Sequence, residues 1–94
     1  MSNFQKKIIE QYKRNGYTVI KLAKTNFNGI ADLLAGNGSD TVLIECKEKK
    51  DTIKKLQVFQ NERLSKAFGW RFIILQDGIG EVDYTETIKP SMDF

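Results

Sequence analysis

Two short apolar runs joined by a turn of glycine and small polar residues constrain this chain most. The segment from Gly29 to Lys47 reads GIADLLAGNGSDTVLIECK, and its turn covers residues 36–40. Apolar runs of this length on either side of such a turn are typical of a β-hairpin. We therefore predict two paired antiparallel strands near the middle of the chain.

Three charged residues are set into this predicted hairpin. Asp32 lies in the first run, whereas Glu45 and Lys47 lie near the end of the second. Because side chains alternate along a strand, Glu45 and Lys47 share a face, with about 6.6 Å between their positions. Pairing of the two runs would bring the Asp32 carboxylate beside Glu45. The sequence therefore predicts two acids and a lysine at one sheet edge.

The predicted charge cluster favours a hard divalent cation. Two neighbouring carboxylates repel each other and a half-buried charge loses hydration, and a bound Mg²⁺ or Mn²⁺ relieves both costs. These ions take carboxylate and carbonyl oxygens together with water. The chain has no histidine and one cysteine, so a zinc site has little support. The Lys47 ammonium group would orient a water nucleophile or neutralise charge on a phosphate.

The order and spacing of these residues resemble those of a known nuclease family. Twelve residues separate Asp32 from Glu45, and one residue separates Glu45 from Lys47. This spacing resembles the D…ExK core of the PD-(D/E)XK nuclease superfamily. The longer order resembles the VRR-NUC branch and, nearly as well, the archaeal Holliday junction resolvases; it continues with Gln57, Leu64 and Gly69. Ala31 stands where the family usually has proline, a departure that affects local backbone geometry more than chemistry.

The resemblance implies a fold, a reaction and roles for individual residues. It implies a restriction-endonuclease-like core and metal-dependent hydrolysis of DNA by a homodimer, with branched structures such as Holliday junctions as substrates. The metal ligands would be Asp32, Glu45 and the Cys46 backbone carbonyl. Lys47 would position the attacking water, and Gln57 would orient a neighbouring group.

Other polar residues have both a functional and an ordinary explanation. Glu10 matches a helix glutamate that often reaches the metal in the family, and an ordinary surface glutamate explains it equally well. We predict DNA contacts at a further set of residues, namely Lys24, Asn26, Lys49, Lys50 and Gln60. Taken singly, the loop residues of this set are more often solvated turn residues.

Hydrophobic periodicity predicts the remaining elements. We expect helix one over residues 4–15 with Asn3 as its cap, strand one over 17–22, and helix two over 53–68 with Asp51 or Thr52 as its cap. A buried strand over 70–75 and an edge strand over 81–84 follow. The fold class is therefore α/β, a mixed β-sheet flanked by helices in the order α-β-β-β-α-β, with a right-handed parallel crossover.

Helix two carries an unusual predicted core face. Projection at 100° per residue places one apolar stripe toward the core, made of Ile53, Leu56, Leu64, Ala67 and Phe68. Gln57 and Gln60 fall inside this stripe. An unsatisfied buried amide costs on the order of 1–3 kcal/mol, so each glutamine should be hydrogen-bonded or partly exposed.

Size, charge and cysteine content fit a small intracellular protein, and they do not by themselves indicate a DNA-binding one. The 94 residues predict a single domain over 1–94, and a domain this small favours pairing with a second copy. The net charge of +3 is compatible with nucleic acid. No apolar run suits a membrane span and residues 1–9 lack a signal-peptide core. The lone Cys46 favours a reducing cytoplasm.

Two other classes of function explain the same residues. One is a nucleic-acid-binding module of this fold that has lost catalysis. The other is a small interaction domain in which Glu45 and Lys47 pair on an exposed strand, an arrangement worth about 0–1 kcal/mol.

Overall fold

The chain folds into two helices and one five-stranded sheet over residues 2–85, the range that the computed structural model describes. In chain order the elements are α1 (Asn3–Arg14), β1 (Thr18–Lys21), β2 (Leu33–Gly36), β3 (Thr41–Lys47), α2 (Lys55–Phe68), β4 (Arg71–Gln76) and β5 (Gly80–Glu81). The tail around Pro90 lies outside the described residues. Neither helix within residues 2–85 is long and apolar enough to cross a membrane.

The strands follow one another across the sheet in chain order, from β1 to β5. The β1–β2, β2–β3 and β4–β5 pairs are antiparallel, and β3 and β4 are parallel because α2 connects them. The predicted hairpin and the predicted parallel connection are therefore confirmed. The predicted edge strand over 81–84 is wrong in extent, since β5 pairs only over Gly80–Glu81.

The hairpin turn is held by its own side chains. The Asn37 Oδ1 atom accepts hydrogen bonds from the backbone N–H groups of Ser39, at 2.9 Å, and Asp40, at 2.7 Å. Gly38 has a φ of +94°, a region that glycine enters without steric cost. These local preferences fix the register of β2 against β3, with Leu33 opposite Ile44.

The sheet has an apolar core on each face. The core on the α1 side contains Ile8, Leu33, Ala35, Val42, Ile44 and Ile73. The core on the α2 side contains Ala31, Leu43, Val58, Phe72 and Ile74. Because β3 and β4 contribute to both cores, they are buried on both faces, as continuous apolar strands require.

The start of α1 differs from the prediction by one residue. Ser2, rather than Asn3, is the cap, and its Oγ atom accepts a hydrogen bond from Gln5 N at 3.1 Å. Serine and asparagine are both good caps, so composition alone does not choose between adjacent candidates. The apolar spacing that predicted the helix is confirmed, since Ile8 is its buried residue.

The start of α2 was also predicted wrongly. The helix begins at Lys55, and its cap, Lys54, makes no side-chain capping bond. Asp51, a predicted cap, instead accepts a hydrogen bond from Glu48 N at 3.0 Å, within the preceding loop. The predicted end is confirmed, because Gly69 caps the helix in the left-handed conformation at a φ of +72°.

The buried face of α2 matches the predicted apolar stripe only in part. Leu64, and Ile53 just before the helix, are partly buried against the core on the α2 side. Leu56 is 62% exposed, Phe68 is 60% exposed, and Ala67 is exposed as well. The buried residues of the helix are instead Val58, Asn61 and Ser65. The prediction failed for Leu56, Ala67 and Phe68 because it counted hydrophobicity, whereas two polar side chains occupy buried positions on this helix.

Candidate functional site

Asp32 lies immediately before β2 and contacts the backbone of β3. Its Oδ2 atom accepts a hydrogen bond from Cys46 N at 2.8 Å. The β2–β3 register ends with Leu33 opposite Ile44, so the Asp32 side chain bonds β3 just beyond the last paired residues. Its carboxylate is thereby fixed beside the end of β3.

Glu45 and Lys47 lie on the α2 face of β3, and both are buried, at 5% and 7% exposure. The Lys47 Nζ atom is 3.4 Å from Glu45 Oε2 and donates a hydrogen bond to Gln57 Oε1 at 3.1 Å. The structure therefore brings Asp32, Glu45, Lys47 and Gln57 together. An exposed Glu45–Lys47 pair, the basis of the interaction-domain alternative, is contradicted by this burial.

The Glu45 carboxyl is held in an unfavourable environment. Burial raises its pKa to about 7, the Asp32 charge adds to this rise, and Lys47 and Gln57 oppose it. Within residues 2–85 the Glu45 Oε1 atom is buried without a hydrogen-bond partner. A buried oxygen without a partner costs about 1–3 kcal/mol, so Glu45 has an unused capacity to bind a donor or a cation.

Cys46 contributes backbone rather than sulfur to this site. Its side chain packs against the core on the α1 side, away from Glu45. Burial raises the pKa of its thiol to about 12, so the thiolate that a soft metal would bind is not formed near neutral pH. In an extended strand the carbonyl and N–H of one residue point the same way, so the Cys46 carbonyl lies on the Asp32 side.

These donors fit a hard cation that keeps part of its water shell. Two carboxylates and a carbonyl oxygen are the ligands that Mg²⁺ and Mn²⁺ prefer, and the unpartnered Glu45 Oε1 supplies one of them. Across the described range, no group of three or more His, Cys, Asp or Glu side chains could hold a metal. The carbonyl and water would therefore complete the coordination of such an ion.

Glu10, the tentative third acid, is not brought into this group. It is an exposed residue of α1, the helix whose Ile8 belongs to the core on the other face of the sheet from Glu45. No hydrogen bond or ion pair in the described part of the chain joins it to Asp32 or Glu45. The structure therefore offers two acids at this site rather than three.

The predicted DNA-contact residues differ in their surroundings. Four of them are exposed in the loops before β2 and after β3, namely Lys24, Asn26, Lys49 and Lys50. Gln60 is half-buried, and its Nε2 atom donates a hydrogen bond to Asn28 O at 3.2 Å. Its amide thus helps to hold the loop before β2 against α2.

Sequence reasoning missed Asn61, which is fully buried beside the site. It bonds three backbone groups, one in α2 and two in the loop that precedes Asp32. One of these is the Ala31 N–H group, which a proline at that position would lack. The sequence held one signal for the role of Asn61. It is a polar residue four positions after Gln57, on a helix that packs on the sheet.

Gln76 was missed as well. It is buried at the end of β4, and its Nε2 atom lies 2.9–3.3 Å from three backbone carbonyl oxygens, those of Glu48, Lys49 and Asp51. The amide therefore fixes the loop that follows Lys47. No sequence pattern links a glutamine to carbonyl groups more than twenty residues earlier.

A second polar cluster lies at the start of β3. Arg71 donates two hydrogen bonds to the Asp40 carboxylate, at 2.8 and 2.9 Å, and the Tyr17 hydroxyl donates another. These partners lower the pKa of Asp40 to about 2, Arg71 contributing most. The cluster joins β1, β3 and β4 at the end of the sheet away from Glu45.

Comparison with known proteins identifies the fold. No family model matches the sequence, and no curated protein matches it significantly. Among solved structures, Hjc, a Holliday junction resolvase from the archaeal hyperthermophile Archaeoglobus fulgidus, is similar with a TM-score of 0.68 and 23% identity. The similarity covers 79% of this chain and 61% of Hjc, so the chain spans less than two thirds of that protein. The predicted restriction-endonuclease-like α/β fold is confirmed.

Proposed function

We propose that this protein is a metal-dependent endonuclease that hydrolyses phosphodiester bonds of DNA, with branched DNA such as Holliday junctions as its substrate. The observation that carries the proposal is the buried Glu45 carboxyl beside Asp32 and Lys47, whose Oε1 atom has no hydrogen-bond partner within residues 2–85. The fold shared with Hjc supports the same reaction class. The finer resemblance to the VRR-NUC branch stays a prediction.

Three oxygen donors would hold the metal. Asp32, Glu45 and the Cys46 carbonyl would bind Mg²⁺ or Mn²⁺, which supplies positive charge to stabilise the pentavalent phosphate of the transition state. Such an ion would satisfy the Glu45 carboxyl, whose Oε1 atom has no partner within residues 2–85. The cost of burying this carboxyl is then offset by binding.

Lys47 would orient the attacking water. An ammonium group has three N–H donors, and here one bonds Gln57 and another faces Glu45. The remaining donor can hold water for in-line attack or contact a phosphate oxygen. Gln57 fixes the direction of the Lys47 side chain, so its contribution is to keep that donor aimed at the reacting group.

DNA would reach this site over the exposed basic residues. Lys24, Lys49 and Lys50 flank the site in sequence and can neutralise phosphates, and Asn26 and Gln60 add hydrogen-bonding groups. Contacts of this kind position the backbone without reading its sequence. They suit an enzyme that recognises the shape of a branched substrate.

We propose that two copies act together as a homodimer. One such chain carries one candidate site, and cutting two strands of a junction requires two. Leu56 and Phe59 lie one turn apart on α2 and are each 62% exposed, so they offer an apolar contact surface for the second copy. An intracellular location, with access to DNA and a reduced Cys46, belongs to the same proposal.

A cleavage assay tests the reaction directly. Purified protein, with its dimeric state checked by light scattering, is incubated with labelled four-way junction, flap and linear duplex DNA in Mg²⁺ or Mn²⁺. We expect cleavage of the branched substrates by the wild type and by Asp83→Asn, an exposed control, and none by Asp32→Asn. Failure to cut any substrate at several metal concentrations would overturn the proposal.

A mobility-shift assay and a Mn²⁺ titration distinguish the proposed nuclease from an inactive nucleic-acid-binding module. That alternative gains some support from Ala31, which departs from the family pattern beside Asp32. A binder without catalysis would shift the mobility of junction DNA, leave it intact, and take up no Mn²⁺ that Asp32→Asn or Glu45→Gln abolishes.

A further inference from the structure

We propose that Asn61 is a positioning residue that sets Asp32 and Gln57 in their places relative to each other. The inference rests on the proposed function, because it assigns a role in the same site. The observation behind it is that one buried amide joins the loop before Asp32 to the helical turn that carries Gln57.

Asn61 uses nearly its whole hydrogen-bonding capacity on backbone groups. The side chain is fully buried, its Oδ1 atom accepts from Ala31 N at 2.8 Å, and its Nδ2 atom donates to Gly29 O at 3.0 Å and Gln57 O at 2.7 Å. Backbone partners cannot rotate away as side chains can. The amide therefore fixes the position of the loop against α2.

The loop end held by Asn61 leads directly to the first acid. The Ala31 N–H group belongs to the Ile30–Ala31 peptide, so its bond to Asn61 restrains the backbone one residue before Asp32. On the other side, the Asp32 carbonyl accepts a hydrogen bond from Leu22 N at 2.8 Å. Asp32 thus sits between two backbone restraints, and its carboxylate is left to bond Cys46 N.

Contacts of Gly29 with α2 also hold the loop before Asp32 against the helix. A Cβ atom at Gly29 would lie 3.9 Å from Gln60 Cγ and 4.0 Å from Gln57 Cα, so the loop is in van der Waals contact with α2. Gly29 also has a φ of +79°, which favours glycine. Among these contacts, only the Asn61 amide is fully buried and bonds backbone groups of both the loop and α2.

Ser65 provides a matched control for Asn61. It lies about one turn further along α2, is 5% exposed, and belongs to the same buried set of the helix. Within the described residues its Oγ atom has no hydrogen-bond partner. Ser65→Ala therefore alters a buried polar residue of α2 without removing a bond to the loop.

The first measurement does not depend on metal or activity. The Cys46 N–H group bonds the Asp32 carboxylate, so its hydrogen exchange, followed by NMR, reports whether Asp32 stays in place. In Asn61→Ala we expect exchange at Cys46 at least tenfold faster relative to exchange at Ile44, two residues earlier in β3. Ser65→Ala should leave this ratio unchanged. An unchanged ratio in folded Asn61→Ala would overturn the proposal.

The second measurement connects position to function. Asn61→Ala should weaken Mn²⁺ binding, measured by calorimetry without DNA, by about tenfold or more, since residues that orient metal ligands typically contribute that much. It should lower kcat for junction cleavage while KM stays nearly constant. Mn²⁺ affinity and kcat equal to those of Ser65→Ala would overturn the proposed role.

Two outcomes keep this inference separate from the proposed function. If the wild type neither binds Mn²⁺ nor cuts DNA while the exchange ratio changes as expected, the nuclease proposal fails and the structural role of Asn61 stands. If Asn61→Ala does not fold, Asn61→Ser is measured in its place, because a serine has one O–H donor and cannot bond both Gly29 O and Gln57 O. Exchange at Cys46 relative to Ile44 should be faster in that variant too, and an unchanged ratio would overturn the proposal.

Discussion

Asp40 and Glu45 lie at opposite ends of β3, each beside a basic residue, yet their environments shift their pKa values in opposite directions. Asp40 receives hydrogen bonds from Arg71 and Tyr17, and its pKa falls to about 2. Glu45 is buried near a second acid, and its pKa rises to about 7 although Lys47 lies 3.4 Å away.

The difference lies in how many partners each acid has. The Asp40 carboxylate has three donors, so its charged form is stabilised and contributes to folding. Glu45 has an oxygen that no donor in the described chain satisfies, so its charged form weakens the fold. Groups with this kind of mismatch concentrate at functional sites, where a ligand or substrate completes them.

The largest expected effect is a loss of cleavage activity when Glu45 or Lys47, but not Asp40, is replaced. Glu45→Gln and Lys47→Ala should each lower kcat for junction cleavage by about 100-fold or more, as loss of one group that stabilises transition-state charge does. Asp40→Asn should keep most of the activity because Asp40 bonds Arg71 and Tyr17, away from the proposed metal ligands. Single-turnover rates at saturating Mg²⁺ provide the measurement. An equal loss in all three variants would contradict the assignment of the site to Glu45.

Metal binding should stabilise the folded protein through Glu45 and not through Asp40. At a Mn²⁺ concentration of 100 times the dissociation constant, the free energy of unfolding should rise by about 2.7 kcal/mol. Glu45→Gln should lose this gain, whereas Asp40→Asn should keep it. Urea denaturation with Mn²⁺ and with EDTA measures both quantities. A gain that survives in Glu45→Gln would place the ion elsewhere.

Without metal, Glu45 should make stability depend on pH near neutrality. Its pKa is higher in the folded state, about 7, than the ordinary 4.5, so its stabilising contribution is complete below 4.5 and is lost as pH rises through 7. In EDTA at pH 8, Glu45→Gln should therefore be more stable than wild type by on the order of 3 kcal/mol. A variant that is less stable at pH 8 than wild type would contradict the burial argument.

The smallest expected effect concerns Asp40 at acid pH. Its pKa is lower in the folded state, about 2, than the ordinary 3.8, so its contribution is present above 3.8 and is lost as pH falls through 2. Asp40→Asn should remove this part of the acid sensitivity, by less than about 1 kcal/mol because solvent screens the pair. Thermal melts between pH 2 and 5 would show it, and Glu45→Gln is the contrasting variant.

Local patterns predicted those parts of the molecule that depend on near neighbours. The hairpin followed from two apolar runs and a turn, and the meeting of Glu45 with Lys47 followed from strand alternation. Gln57 was predicted through the family resemblance, and the structure places its amide on Lys47. These features need only the period of an element and the order of elements along the chain.

Features that depend on distant partners were not predictable in this way. The burial of Asn61 on α2 is favourable only because the loop thirty residues earlier offers backbone groups to bond. A projection that scores side chains by hydrophobicity therefore selected Leu56 and Phe68, which are exposed. The tentative ligand Glu10 failed to join the site for a similar reason, since its helix packs on the other face of the sheet.

The position of Glu45 and Lys47 within an interior strand has a consequence for how this protein can diversify. Both residues lie in β3, which is between β2 and β4 and is covered on both faces, so the two proposed catalytic side chains have little freedom to move. The exposed loops beside them are under no such restriction. If the proposed nuclease function holds, new preferences for DNA shape can therefore arise by exchange of loop residues while the proposed catalytic residues stay unchanged.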